Sequence, residues 1–293
     1  MTNLRAYLAC VFIVCAWSGW ITISRYGVQS NLQPADITLI RYVTALLCVL
    51  PLVARHHWHR FKLHQYLIMG LGVGFPYTMT SFYGLRELKA AHAGVLVNGM
   101  LPVLGAVAAW FILRQRVSAL RYMAIALIFI ANFVMAGGDT FSPGHSFGIL
   151  LLLSAAVFYT AHMIAIRFWG FQWRDVLVTV PVVNTLFFLP MWFFLPTSLS
   201  KASIGEIASQ AAYQGIIVNI IALMCSTYAI ARIGTITVSI FMSFVPVTTA
   251  LLAWLLLGEA LNPWELVGIT GCSLGLFIYA WGQIIESRKR ILE

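Results

Sequence analysis

The chain has 293 residues, 61% of them apolar and only 9% charged, with a mean hydropathy of +0.88. A water-soluble fold carries about 25% charged residues, so this composition excludes a soluble globular domain and makes lipid the solvent. The formal net charge of +9 would suit a polyanion such as nucleic acid, but its distribution along the chain points elsewhere.

A bilayer-crossing helix takes about 20 mainly apolar residues, and windows of that kind recur ten times. The first, 5–25, carries Trp17 and Trp20 one turn apart on one face. It has one basic residue and no small-residue cleavage site, so it is expected to be retained. The second, 35–54, contains Arg41, the one cation well inside a span, and has Pro51 near its end. RHHWHRFKLH (55–64) follows, with four of the seven histidines. It reads either as a metal-binding stretch or, more simply, as a basic, Trp-bearing loop against anionic headgroups. The third window, 64–84, brings Tyr77, Thr80 and Ser81, and the fourth, 91–113, brings His92, Asn98 and Pro102. After the fifth, 119–137, the sixth (146–168) holds Tyr159 and His162, and the seventh (175–196) holds Asn184 and Pro190. The eighth, 206–230, holds Asn219 and Tyr228; the ninth, 234–257, holds Pro246. The tenth, 263–284, carries Gly268, Gly271 and Gly275, small residues that serve close packing within the subunit or in a homodimer. Runs such as GILLLLSAAVF (148–158) lack the alternation of a membrane β-barrel. The expected fold is an all-α membrane protein of ten transmembrane helices.

With the N-terminus in the cytoplasm, thirteen of the eighteen Lys and Arg fall on that side. They are Arg5, Arg55, Arg60, Lys62, Arg114, Arg116, Arg121, Arg167, Arg174, Arg232, Arg288, Lys289 and Arg290. Arg25, Arg86, Lys89 and Lys201 fall opposite. This bias predicts N-in, C-in topology, in a multi-pass protein of a bacterial inner (cell) membrane. The positive charge then reports orientation in lipid, and no nucleic-acid partner is expected.

Residues 101–123, LPVLGAVAAWFILRQRVSALRYM, reappear as VPVTTALLAWLLLGEALNPWELV at 245–267. Pro102 answers Pro246, Ala109 answers Ala253 and Trp110 answers Trp254, while Arg114, Arg116 and Arg121 face Gly258, Ala260 and Glu265. The register holds to Gly138 and Gly282; Asp36 matches Asp175, Pro51 matches Pro190, and Arg25 matches Arg167. A repeat of five helices, an odd number, enters the membrane upside down the second time. The apolar packing is kept and the topogenic charge is removed, which marks two inverted-topology repeats, 1–138 and 139–293.

AWSGW (16–20), LIRYVTALL (39–47) and VPVTTALLAWLLLGEALNPWELVGITG (245–271) resemble the EamA-type, ten-helix permeases of the drug/metabolite transporter superfamily. The resemblance covers essentially the whole chain. The second copy has the family's Gly-Glu after the helix, Gly258-Glu259, whereas the first copy has Arg114-Gln115 there. It implies a carrier of small metabolites, commonly exporting amino acids or related solutes.

Enzyme readings find no support in the sequence. Cys10, Cys15, Cys48, Cys225 and Cys272 stand singly, with no zinc-like spacing, no phosphate-binding loop occurs, and no acid lies deep in a span. No metal or cofactor is expected. Polar residues inside spans are costly and usually purposeful, and they supply the candidate substrate site: Trp17, Trp20, Arg41, Tyr77, Ser81, Asn98, Tyr159, His162, Asn184 and Asn219. Arg41 reads as the anchor for a substrate carboxylate or as a scaffold residue of the LIRY stretch. His92 and His162 are candidates for proton coupling, and Pro102 and Pro246, mid-span in the matched helices, for hinges. The expected function is alternating-access secondary transport, most simply export of an amino acid or related zwitterion. The alternatives are uptake of an organic cation such as choline, held by an aromatic cage, and a non-transporting membrane sensor on the same scaffold.

Overall fold

The computed structural model describes residues 2–113, 118–135 and 143–292, with side chains except at 2–3, 109–113, 143–144, 234–236 and 287–292. Arg114, Gln115, Arg116, Gly138 and most of the 139–145 loop therefore lie outside the described residues, as do the side chains of Ala109, Trp110, Arg288, Lys289 and Arg290.

Among the described residues twelve α-helices follow in order: α1 (Thr2–Gln29), α2 (Pro34–Val53), α3 (Leu63–Gly72), α4 (Phe75–Glu87), α5 (Ala90–Leu113), α6 (Ala119–Met135), α7 (Pro143–Trp169), α8 (Trp173–Trp192), α9 (Ile204–Gln210), α10 (Leu223–Met242), α11 (Val245–Leu257) and α12 (Pro263–Leu292). A π-wound stretch, Ala211–Ala222, joins α9 to α10. Among the described residues eight helical stretches are long and apolar enough to cross a membrane, and Ala119–Met135 is a shorter apolar helix beside them. The protein is an all-helical integral membrane protein.

Sequence punctuation sets most boundaries. Pro34 opens α2 at a position where no N–H is needed, and Asp36 Oδ2 accepts the Gln33 N–H at 3.1 Å. The matched start of α8 repeats this, with Asp175 Oδ2 accepting the Gln172 N–H at 2.8 Å. α11 stops at Gly258, whose φ of 66° is left-handed and suits glycine.

The structure departs from expectation at three places. The expected single span 64–84 is two helices, interrupted at Val73–Gly74, where Pro76 lacks an N–H for the ladder and Gly74 lies so close to the Asn184 amide that a Cβ would collide with it. A loop is expected near 231–233, yet helical backbone runs through it. Even so, Gln214 and Val245 both reach the middle of α1, through Trp20 Nε1–Gln214 Oε1 at 2.8 Å and Ser18 Oγ–Val245 O at 3.2 Å. A straight helix would hold residues 214 and 245 about 46 Å apart, so the chain turns back between them. Finally, Pro246 is in the first turn of α11, after a break at Ser243–Phe244, and not in a helix interior; Pro102 does lie inside α5.

Three matched helix pairs of the two repeats pack together, and α2 with α8 and α6 with α12 run antiparallel. Asp36 at the start of α2 meets Trp192 at the end of α8 (3.0 Å), while Asp175 at the start of α8 meets Arg60 beyond the end of α2 (3.5 Å). Gly268, Gly275 and Gly282 on α12 lie against Met135, Ile128 and Arg121 on α6, in descending order. Gly94 of α5 packs on Thr249 and Pro246 of α11. α4 relates α1 to α7: ascending it, contacts pass from Trp20 to Arg25 on α1 but from Tyr159 to Leu152 on α7. The small residues at the α6–α12 contact permit a close approach, as expected where dispersion rather than water drives packing.

Candidate functional site

A cavity of about 350 Å³ opens between α1, α2, α7, α8 and the π-wound stretch with α10. Five of the sequence candidates line it: Trp17, Arg41, Tyr159, His162 and Asn219. The rest of the wall is largely apolar, with Val73, Ile166, Val176, Leu177, Val180, Pro181 and Val218. Its lining residues Gln172 and Ile230 are exposed, with half-buried Trp173 beside Gln172, which puts its mouth there.

Arg41 is the cation in that wall and is only 3% exposed. Its Nη1 donates to Gln214 Oε1 at 2.8 Å and its Nη2 to Asn219 Oδ1 at 3.2 Å. The guanidinium stands 5.7 Å from the Trp20 ring and 5.6 Å from the Tyr42 ring, within cation–π range. All these partners are neutral. Arg41 Nε is buried and has no hydrogen-bond acceptor among the described residues. Nε and Nη2 form one edge of the guanidinium, the planar fork whose spacing suits the two oxygens of a carboxylate.

The π winding makes this grip. In an α-helix residues five apart point about 140° away from each other, whereas bonding to the fifth residue along stacks Gln214 and Asn219 on one face. Asn219 Nδ2 donates back to Gln214 O at 2.8 Å, in that same five-residue step. Gln214 is fully buried; it accepts from Trp20 and donates to Ser24 Oγ (2.9 Å) and Gln210 Oε1 (3.2 Å). Its bonds are all spent on the scaffold.

Aromatic rings close the inner end of the cavity. Trp20 stacks on Tyr77 with centroids 5.5 Å apart and planes 16° apart, Tyr77 touches Tyr159 at 5.5 Å, and Tyr159 meets Trp17 edge-on at 5.9 Å. Trp17 of α1 and His162 of α7 thus both meet Tyr159.

Other candidates serve the helix break beside the cavity. Asn184 Oδ1 accepts the Phe75 N–H at 2.7 Å and its Nδ2 donates to Gly70 O at 2.9 Å. Tyr42 Oη donates to Val73 O at 2.9 Å. His162 Nδ1 lies 2.7 Å from Met69 O; a carbonyl only accepts, so Nδ1 carries the proton and Nε2 is the free acceptor. Backbone groups released in a membrane must find partners, and these side chains provide them. Asn184 is fully buried and does not line the cavity.

Ser81 and Asn98, on α4 and α5, also lie outside its wall. His92 is at the opposite end of the molecule, 3.8 Å from Glu265, which Lys89 holds at 2.9 Å. That end is tied shut: Arg25 Nε meets Glu259 Oε1 at 2.7 Å, its Nη1 donates to Leu85 O, and Glu259 Oε2 accepts the Ala90 N–H at 2.9 Å. The Gly-Glu pair after α11 thus caps one helix and latches three others. Among the described residues no acid lines the cavity and no three His, Cys, Asp or Glu are grouped to hold a metal.

Sequence reasoning passed over Gln210, Gln214, Ser24 and Tyr42. The glutamines were readable, since SQAAYQG (209–215) puts two of them one turn apart inside an apolar window. The winding that pairs Gln214 with Asn219 was not.

The profile of the EamA-like transporter family matches the chain twice, over residues 4–137 and 146–281. The uncharacterized transporter YrdR of Bacillus subtilis (strain 168) is 23% identical, over 98% of this chain and 94% of its own. The uncharacterized transporter YetK of the same organism is 21% identical over 70% of this chain, and the match spans only 64% of YetK's length. A solved crystal structure shares the fold at a TM-score of 0.62 and 18% identity, covering 95% of this chain and 96% of that one. The chain belongs to the EamA-like transporter family and is a multi-pass membrane transporter.

Proposed function

We propose that this family member is a secondary carrier that exports a small amphipathic carboxylate, of amino-acid size, by alternating access. The observation that carries the reading is Arg41: a guanidinium 3% exposed, in the cavity wall, held by neutral partners, with Nε unclaimed by the scaffold and Nη2 beside it held by the Asn219 amide. A buried charge is costly unless paired, and a substrate carboxylate would complete the pair. Amino acids and related zwitterions are the class the sequence points to. The organic-cation alternative loses ground, because choline would meet Arg41 and find no acid in the wall.

In this reading α3 and α4 together make one pass and Ile204–Leu257 makes two, giving ten passes with both termini in the cytoplasm. Repeats 1–138 and 139–293 rock against each other about the antiparallel contacts. The mouth at Trp173 is then cytoplasmic and the Arg25–Glu259 end external, so the structure is an inward-open state. His162 is the one proton-coupling candidate in the wall, and His92 would act at the external end.

The test is counterflow in proteoliposomes, with ligands chosen by thermal shift from carboxylates, their amides and choline. Ser226 also lines the cavity, and carboxylate-dependent flux that Ser226→Trp abolishes by filling it supports the carrier. Choline flux surviving Arg41→Gln, or ligand binding with no flux, overturns it.

A further inference from the structure

We infer that the solute crosses as a net monoanion, an apolar-bodied monocarboxylate without a charged amine, and that it crosses alone, so that each turnover moves one negative charge. This rests on the reading of the Arg41 cavity as the substrate site.

Charge accounting at the site carries the inference. Among the described residues the wall holds one cation, Arg41, and no acid. None of the seven described acids lines the wall: Asp36 is engaged by Trp192 and Thr197, Asp175 by Arg60, Glu206 by Asn31 and Ser203, Glu259 by Arg25, Glu265 by Lys89 and Glu286 by Arg121, and Glu87 is exposed at the end of α4. A monoanion on Arg41 makes the loaded cavity neutral. A zwitterion brings a second cation into the same wall, beside Val176, Leu177 and Val180, with nothing to neutralise it. An uncompensated buried charge is the costliest group a low-dielectric site can take.

The number of carboxylates is limited in the same way. Gln214 is fully buried and keeps Nη1, which leaves only the Nε–Nη2 edge, reached by displacing the Asn219 amide. One edge accepts one carboxylate, so a dicarboxylate would leave its second charge among apolar residues.

Coupling follows from what the wall lacks. A protein group that carries a symported proton must titrate near neutral pH, and among the described lining residues the side chain of that type is His162, whose Nδ1 is tied to Met69 O at 2.7 Å. A monoanion needs none, because an inside-negative membrane potential itself expels it. Arg167, Arg174 and Arg232 are exposed next to the lining residues Ile166, Trp173 and Ile230, and they place positive potential around the mouth, where it gathers anions.

The experiment uses the full chain in proteoliposomes with two matched probe pairs: 3-phenylpropanoate against phenylalanine, and 4-methylpentanoate against leucine. A tenfold potassium gradient with valinomycin sets the potential, and protein-free vesicles give the background. The expected result is at least one deaminated acid carried with at least tenfold higher affinity than its amino acid. It should accumulate about tenfold on the positive side, the equilibrium for one unpaired charge, and a pH gradient alone should not drive it. Preference for the amino acid, flux of neither acid, or acid flux indifferent to potential overturns the inference. Arg41→Gln separates the two levels. If it abolishes flux of the amino acids while the acids are not carried, the site reading stands and the monoanion inference falls. Unchanged flux of the favoured probe in Arg41→Gln removes the site reading itself.

Discussion

Gln214 and Asn219, five residues apart, hold the same guanidinium, Arg41, at 2.8 and 3.2 Å. Only the π winding of Ala211–Ala222 aligns them, and the two amides play different parts. Gln214 is buried and saturated, whereas Asn219 faces the cavity with one bond to give up. Asn219→Asp would therefore put a resident carboxylate on the edge a substrate needs. A charge-assisted contact is worth about 1.5–3 kcal/mol, so carboxylate affinity should fall roughly ten- to a hundredfold while the melting temperature rises. Loss of both stability and binding would mean that Asn219 does not stand between Arg41 and the substrate.

Asn184 has a structural part to test. Its amide serves Phe75 N–H and Gly70 O across the α3–α4 break. Asn184→Leu leaves both groups unsatisfied, at about 1–3 kcal/mol each. The variant should melt earlier and express poorly, and the folded fraction should keep wild-type affinity. Normal stability with weakened affinity would return Asn184 to the substrate site.

The Arg25–Glu259 pair, 13% and 11% exposed, closes the end away from the mouth. The repeat-related Arg167 is exposed and has no ion pair among the described residues, so the two ends are not tied alike. Glu259→Gln should weaken the closed end by about 1.5–3 kcal/mol and favour the state open there. The readout is alkylation of Ser24→Cys, buried behind the latch, in a chain whose five native cysteines are replaced. Labelling should accelerate roughly ten- to a hundredfold, and an unchanged rate would show that the pair does not gate.

Much of this was legible because lipid leaves a chain few options. Hydropathy located the helices to within a few residues: 35–54 became Pro34–Val53, and 175–196 became Trp173–Trp192. The repeat marked which helices correspond, and the rings of Trp17 on α1 and Tyr159 on α7 meet. Hydropathy averages over a window, so it could not see the break at Gly72–Phe75, although glycine and proline there announce it. Nor does composition distinguish α from π winding. Hence Asn219 was found as a polar residue in a span while its partner Gln214 was not, and Asn184 and His162, chosen for the same reason, proved to satisfy freed backbone.

His56, in the loop after α2, packs against Trp58 and Tyr66 with Nδ1 3.9 Å from Asp175 Oδ1. Burial holds its imidazolium below the ordinary histidine value, and the Asp175 carboxylate only partly restores it. The unfolded chain then binds the proton more readily, so stability is full above about pH 6.5 and is lost as the pH falls. The melting temperature should decline from about pH 7 to pH 5, and less steeply in His56→Gln. Identical slopes would remove His56 as the sensitive group.

The most direct test of the account is a binding cycle between Arg41 and the substrate's carboxylate. Affinities of one transported acid and its primary amide are measured for wild type and Arg41→Gln, with Arg41→Lys as the variant that keeps charge but loses the fork. A direct contact predicts that Arg41→Gln costs the acid about 1.5–3 kcal/mol, roughly ten- to a hundredfold, that the amide changes by less than about threefold, and that Arg41→Lys recovers part of the loss. If acid and amide weaken equally, or the variant only lowers the yield of protein that binds normally, Arg41 is scaffold and the carboxylate reading is wrong.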